Sequence, residues 1–113
     1  EYSGYSWYQN LQSAPLYRRD LDIVAATSKN EIAAFCTIFY DDYSRSAVTV
    51  VVGTAADHWR NGLGKAVMIE GMHRLKEMGC TRVFSTAHEE PADALYASLM
   101  REMITTETWV KVF

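Results

Sequence analysis

The stretch Asp57 to Val67, DHWRNGLGKAV, places Gly62 and Gly64 one residue apart and flanks them with Arg60, Asn61 and Lys65. It lies between a β-rich run and a helical pattern. Glycine at such a junction lets the backbone come very close to a neighbour. A strand that ends near Thr54 and a helix that opens at Leu63 leave several N–H groups together at the helix start, where the helix dipole adds positive potential. An anion, above all a phosphate, is the natural guest. The glycines alone serve equally well to allow a tight strand-to-helix turn. Familiar phosphate loops do not fit. A Walker A loop needs glycine where Trp59 stands and Ser or Thr where Ala66 stands, and a dinucleotide fingerprint needs a third glycine where Val67 stands.

Other reactive side chains are sparse. His58, His73 and His88 have no metal-ligand spacing, so no metal is expected. His73 falls on the solvent side of a helix. His88 with Glu89 and Glu90 could bind an amine or relay its proton, or could be a polar loop in which Glu90 suits a following helix start. Cys36 and Cys80 form neither a metal nor a redox pair and read as buried thiols in a reducing compartment.

The elements that must position these residues follow from periodicity. Residues 21–27 and 31–40 read as strands joined by Ser28, Lys29 and Asn30, and 47–54 is a β-branched run suited to a central strand. From Leu63 to Met78 the period becomes helical, with Val67, Met68, Gly71, Met72, Leu75 and Met78 on one face and a Glu70–Arg74 pair on the other. Residues 81–87 read as a strand, Pro91 opens a second helix bearing Ala92, Leu95, Tyr96, Leu99 and Met100, and 107–113 alternates like a closing strand. The first 20 residues suggest a short helix and a packed loop. Strand 47–54, helix 63–78 and strand 81–87 make one βαβ unit with parallel strands. The fold class is therefore α/β: a mixed, mostly antiparallel sheet with a central parallel βαβ unit and packed helices. With 113 residues and a net charge of −3, the chain suits one domain, residues 1–113, with no basic field for nucleic acid. No stretch suggests a membrane span or signal peptide, so the cytoplasm is the default.

The segment VVGTAADHWRNGLGKAVMIEGMHRLKEMGCTRVFSTA resembles the GNAT superfamily of N-acetyltransferases, whose central motif is V-x-P-x-x-[QR]-x-x-G-x-[GA], then an amphipathic helix, a glycine and a strand. Gly62 and Gly64 match the two small positions and Gly79 the later glycine. ADALYASLM resembles the family's A-x-x-L-Y-x-x-x-G-F signature through Ala92, Leu95 and Tyr96. The resemblance spans roughly residues 48 to 101 and is weaker before them.

The resemblance implies acetyl-coenzyme A as cosubstrate, with no metal, and transfer of acetyl to a primary amine of a small molecule or peptide. Pantetheine would pair with the edge formed by Val52, Gly53 and Thr54. The turn Trp59, Arg60, Asn61, Gly62, Leu63, Gly64 and Lys65 would hold the pyrophosphate, mostly through main-chain amides. Tyr96 would protonate the departing sulfur, a role that a phenol of ordinary pKa near 10 can fill at neutral pH. The chain departs from the pattern in several places. Trp59 replaces the usual Gln or Arg and Ala56 the usual Pro; Met100-Arg101 stands for Gly-Phe, and Glu89 lies near the usual Asn. Thr49, Val50 and Val51 offer no carboxylate where many relatives carry a glutamate base, so the base is unassigned. The alternative reading is a catalytically silent CoA-binding or partner-binding domain. The first 20 residues are also too few for the family's opening strand and helices. This suggests the C-terminal part of a longer or tandem chain, with the acceptor side supplied by a partner domain or a second copy.

Overall fold

The β-branched run becomes the third of six strands among the described residues. The computed structural model describes residues 5–55, 62–86, 99, 100, 102, 103 and 108–113. Its elements are α1 (Tyr5–Gln12), β1 (Tyr17–Ala26), β2 (Ile32–Asp41), β3 (Ser46–Thr54), α2 (Leu63–Glu77), β4 (Arg82–Thr86), β5 (Glu102–Met103) and β6 (Thr108–Val112). The strands form one sheet in the order β1-β2-β3-β4-β6-β5. All neighbours are antiparallel except β3 and β4, which run parallel and are joined by α2. The mixed sheet with a central βαβ unit is thus as the sequence implies.

Helix α2 buries Val67, Met68, Gly71, Met72 and Leu75, the face expected from its period. They meet Leu21 and Ile23 of β1, Cys36 and Ile38 of β2, Ala47 of β3 and Val83 of β4 in one core. Burying a Leu or Ile side chain of this kind contributes about 1.5–3 kcal/mol. On the outer side Arg74 pairs with Glu70 at 2.8 Å, and its guanidinium also donates to the Asp20 carbonyl at 2.8 Å, tying α2 to β1. Both cysteines are buried thiols, and burial pushes Cys36 up to about 12.

One boundary and one additional strand differ from the sequence reading. Strand β1 begins at Tyr17 rather than residue 21. Tyr-Arg-Arg-Asp shows no apolar alternation because this part of the edge strand is stabilised by polar contacts instead, Arg18 with Asp20 at 2.9 Å among them. Strand β5, two residues long, carries no readable period. The helix expected from Pro91 lies largely outside the described residues, although Met100 is buried in the core. Among the described residues no helix is long and apolar enough to cross a membrane.

Candidate active site

The ladder between β3 and β4 is short. Ser46 pairs with Arg82, Ala47 with Val83 and Val48 with Phe84, and the pairing stops there although β3 runs on to Thr54 and β4 to Thr86. On its other edge β3 stays paired with β2 as far as Thr54 opposite Ala34. Among the described residues, then, the β2 ladder follows β3 to its end, whereas the β4 ladder stops at Val48.

A β-bulge falls at the same place. Thr37 pairs with Val51 but Ile38 with Thr49, so Val50 is the extra residue on β3. Bulges bend and twist a strand locally and re-aim its groups. Next to it, the Thr49 and Ser85 hydroxyls meet at 2.7 Å, in the buried interior, one step beyond the last paired residues of the two strands. That bond is a clasp at the point where the strands part. Sequence reasoning missed it, and the signal was slight: a single Thr and a single Ser, each inside an otherwise apolar run.

Past the bulge, Val51 to Thr54 are half-buried, and this is the edge that the sequence assigns to a cosubstrate. Gly53 lies under the Phe35 ring, and a Cβ there would stand 2.6 Å from Phe35 Cε1. Only glycine fits beneath that ring without displacing it.

Helix α2 is the next described element after β3. Gly62 is its N-cap residue at φ 75°, a left-handed conformation that costs other residues about 1–2 kcal/mol, and among the described residues no side chain caps the helix. The first intrahelical bond runs from the Ala66 N–H to the Gly62 carbonyl at 2.9 Å, so the amides of Leu63, Gly64 and Lys65 come before it. The first turn carries no acidic residue, and Lys65 is exposed beside it. Every one of these features favours an anion. Of the residues that the resemblance assigns to the cosubstrate, Val52, Gly53 and Thr54 thus close β3, and Gly62, Leu63, Gly64 and Lys65 open α2. Trp59, Arg60, Asn61 and Tyr96 lie outside the described residues, as do His58, His88, Glu89 and Glu90. His73 is exposed on α2, as expected.

A second polar cluster went unread in the sequence. On β1, Asp22 alternates with the buried Leu21 and Ile23 and so stands on the sheet face away from α2. Its Oδ2 accepts hydrogen bonds from the Tyr8 and Tyr17 hydroxyls, and its Oδ1 accepts one from Thr37 at 2.9 Å. Donation to Asp22, with burial, holds the Tyr8 phenol well above its ordinary pKa.

The sequence profile described as the acetyltransferase (GNAT) family matches residues 2–100. No curated protein matches the chain significantly. Among solved structures, the ribosomal-protein-S18-alanine N-acetyltransferase from Escherichia coli aligns with TM-score 0.73 and 20% identity over 96% of this chain and 76% of that one. Ard1 from Thermoplasma volcanium aligns with TM-score 0.79 and 16% identity, over 99% of this chain and 81% of that one. A GNAT family N-acetyltransferase from Escherichia coli in complex with CoA aligns with TM-score 0.72 and 14% identity, over 95% of this chain and 65% of that one. At these identities the likeness is one of fold.

Proposed function

The chain belongs to the GNAT acetyltransferase family, and from that premise we propose that it binds acetyl-CoA where β3 and β4 part and transfers the acetyl group to a primary amine. The observation that carries this reading is the parallel ladder that stops at Val48 and Phe84 while β3 continues to Thr54, beside an uncapped helix start. Pantetheine, itself a chain of amides, pairs with the edge of Val52, Gly53 and Thr54 as a further strand would. The pyrophosphate sits on the amides of Leu63, Gly64 and Lys65, with Trp59, Arg60, Asn61 and Gly62 completing the turn and Arg60 and Lys65 adding charge.

In the reaction the nitrogen lone pair attacks the thioester carbonyl. Main-chain N–H groups of β3 near the Val50 bulge polarise the carbonyl oxygen as negative charge develops on it, an effect that mutagenesis elsewhere puts at about 3–4 kcal/mol per donor. The C–S bond then breaks, the Tyr96 hydroxyl protonates the departing sulfur, and the amine gives up its own proton to water, from which the tyrosinate is re-protonated. A second reading, a CoA-binding domain without turnover, is favoured by one observation: Val50, exposed at the bulge, and its neighbours Thr49 and Val51 bring no carboxylate to the edge. The test is thiol release from acetyl-CoA by the full-length protein against a panel of primary amines. Amine-dependent release supports transfer, binding of CoA without release supports the silent domain, and failure to bind CoA defeats both.

A further inference from the structure

Among the described residues, the Asp22 carboxylate has hydroxyl partners but no ion-pair partner. The ion pairs among the described residues are Arg18 with Asp20 and Arg74 with Glu70, and neither involves Asp22. A half-buried carboxylate without a cation is a costly arrangement. Three hydroxyls from three elements converge on it: Tyr8 from α1, Tyr17 from the start of β1, and Thr37 from β2. A carboxylate offers about four lone-pair sites, so one remains open. Tyr8 and Tyr17 both spend their protons on Oδ2, which leaves their own oxygens as acceptors only. An ammonium group, with three donors and a positive charge, matches this set of oxygens.

Register fixes where the cluster lies relative to the site. Asp22 pairs with Thr37 and Thr37 pairs with Val51, the residue that follows the Val50 bulge. Residues opposite one another across a ladder share a sheet face. The row Asp22–Thr37–Val51 therefore crosses two strand spacings of about 4.8 Å each, which puts Asp22 roughly 10 Å from the reactive edge of β3.

We propose that Asp22, with the Tyr8 and Tyr17 oxygens, anchors a second cationic group of the acceptor, so that the preferred substrate is a dication whose two amines lie roughly 7–10 Å apart across that row. One amine binds at Asp22 as the ammonium and the other reaches the β3 edge. This inference rests on the acetyl-transfer reading for its reactive end.

The test uses 1,6-diaminohexane, whose nitrogens reach roughly 9 Å apart when extended, against n-hexylamine. Calorimetry on the full-length protein loaded with CoA should show the diamine binding at least tenfold tighter. Asp22→Asn should bring the two within about twofold of each other while CoA affinity stays unchanged. Equal binding of the two amines by the wild type, or a preference that survives Asp22→Asn, overturns the proposal. Should Asp22→Asn fail to fold, the wild-type Tyr17 and Thr37 amide resonances decide: they shift saturably with the diamine, and their failure to move overturns it. A separate CoA titration keeps the two ideas apart, because absent CoA binding defeats the acetyl-transfer reading, whereas CoA binding without diamine preference defeats only the anchor.

Discussion

Removing the clasp between β3 and β4 should reveal itself as non-additivity. Thr49→Val keeps the shape of the side chain and deletes its hydroxyl, which leaves the Ser85 hydroxyl, fully buried, with no partner at 2.7 Å. An unsatisfied buried hydroxyl costs about 1–3 kcal/mol. Ser85→Ala strands the Thr49 hydroxyl in the same way, somewhat more cheaply because Thr49 keeps 9% of its surface in contact with solvent. With both hydroxyls gone nothing is stranded, and an apolar pair of similar shape can be nearly neutral. The double variant should therefore lose about 1–2 kcal/mol less than the sum of the singles, a coupling of the size seen for residues in direct contact. Urea unfolding reads this directly: with a slope of about 1–3 kcal/mol/M, each single variant moves the midpoint by roughly 1 M, and the double recovers most of it. If the double variant falls by the sum of the singles, the two hydroxyls do not hold the strands and the clasp is refuted.

Other outcomes follow from the same geometry. Gly64→Val, in the first turn of α2 and free of the positive φ that burdens Gly62, should weaken CoA binding at least tenfold, about 1.4 kcal/mol, with a smaller change in unfolding midpoint; calorimetry showing unchanged affinity in the folded variant contradicts it. Tyr96→Phe should lower kcat on the order of 10²-fold with CoA affinity intact, measured by thiol release, because in the proposed mechanism the hydroxyl acts only as sulfur leaves. Stability should fall as pH rises from 9 toward 12, because the Cys36 thiol, raised from 9.0 to about 12 by burial, stays protonated in the folded chain after it has ionised in the unfolded one. The urea midpoint of Cys36→Ala should fall less steeply between pH 8 and 10 than that of the wild type, and parallel declines would count against it.

Helix α2 was legible to within one residue, because a 3.6 period over 15 residues with Val67, Met68, Met72 and Leu75 on one side has few other readings. Strand β3 and its parallel pairing followed from a β-branched run placed before that helix. What escaped was held by distant pairs. Thr49 and Ser85 are 36 positions apart, Tyr8 and Asp22 are 14 apart, and no local period announces either contact. The bulge at Val50 escaped for the same reason, since it is a mismatch between two strands rather than a property of one. The start of β1 was hidden by Arg18, Arg19 and Asp20, whose charges on an edge strand look like loop. Glycine spacing marked the turn that opens α2, where Gly62 is the N-cap residue. The chirality at Gly62 and the missing cap became visible only with the backbone in place.

The most direct measurement is an amide NMR titration of the full-length protein with CoA. Saturable shifts are expected at Val51 to Thr54 on the β3 edge and at Leu63, Gly64 and Lys65 at the start of α2, with the far end of α2 around Leu75 unmoved. Binding that leaves these two groups of amides in place while perturbing others, or no binding at millimolar CoA, would contradict a cosubstrate site at the parting of β3 and β4.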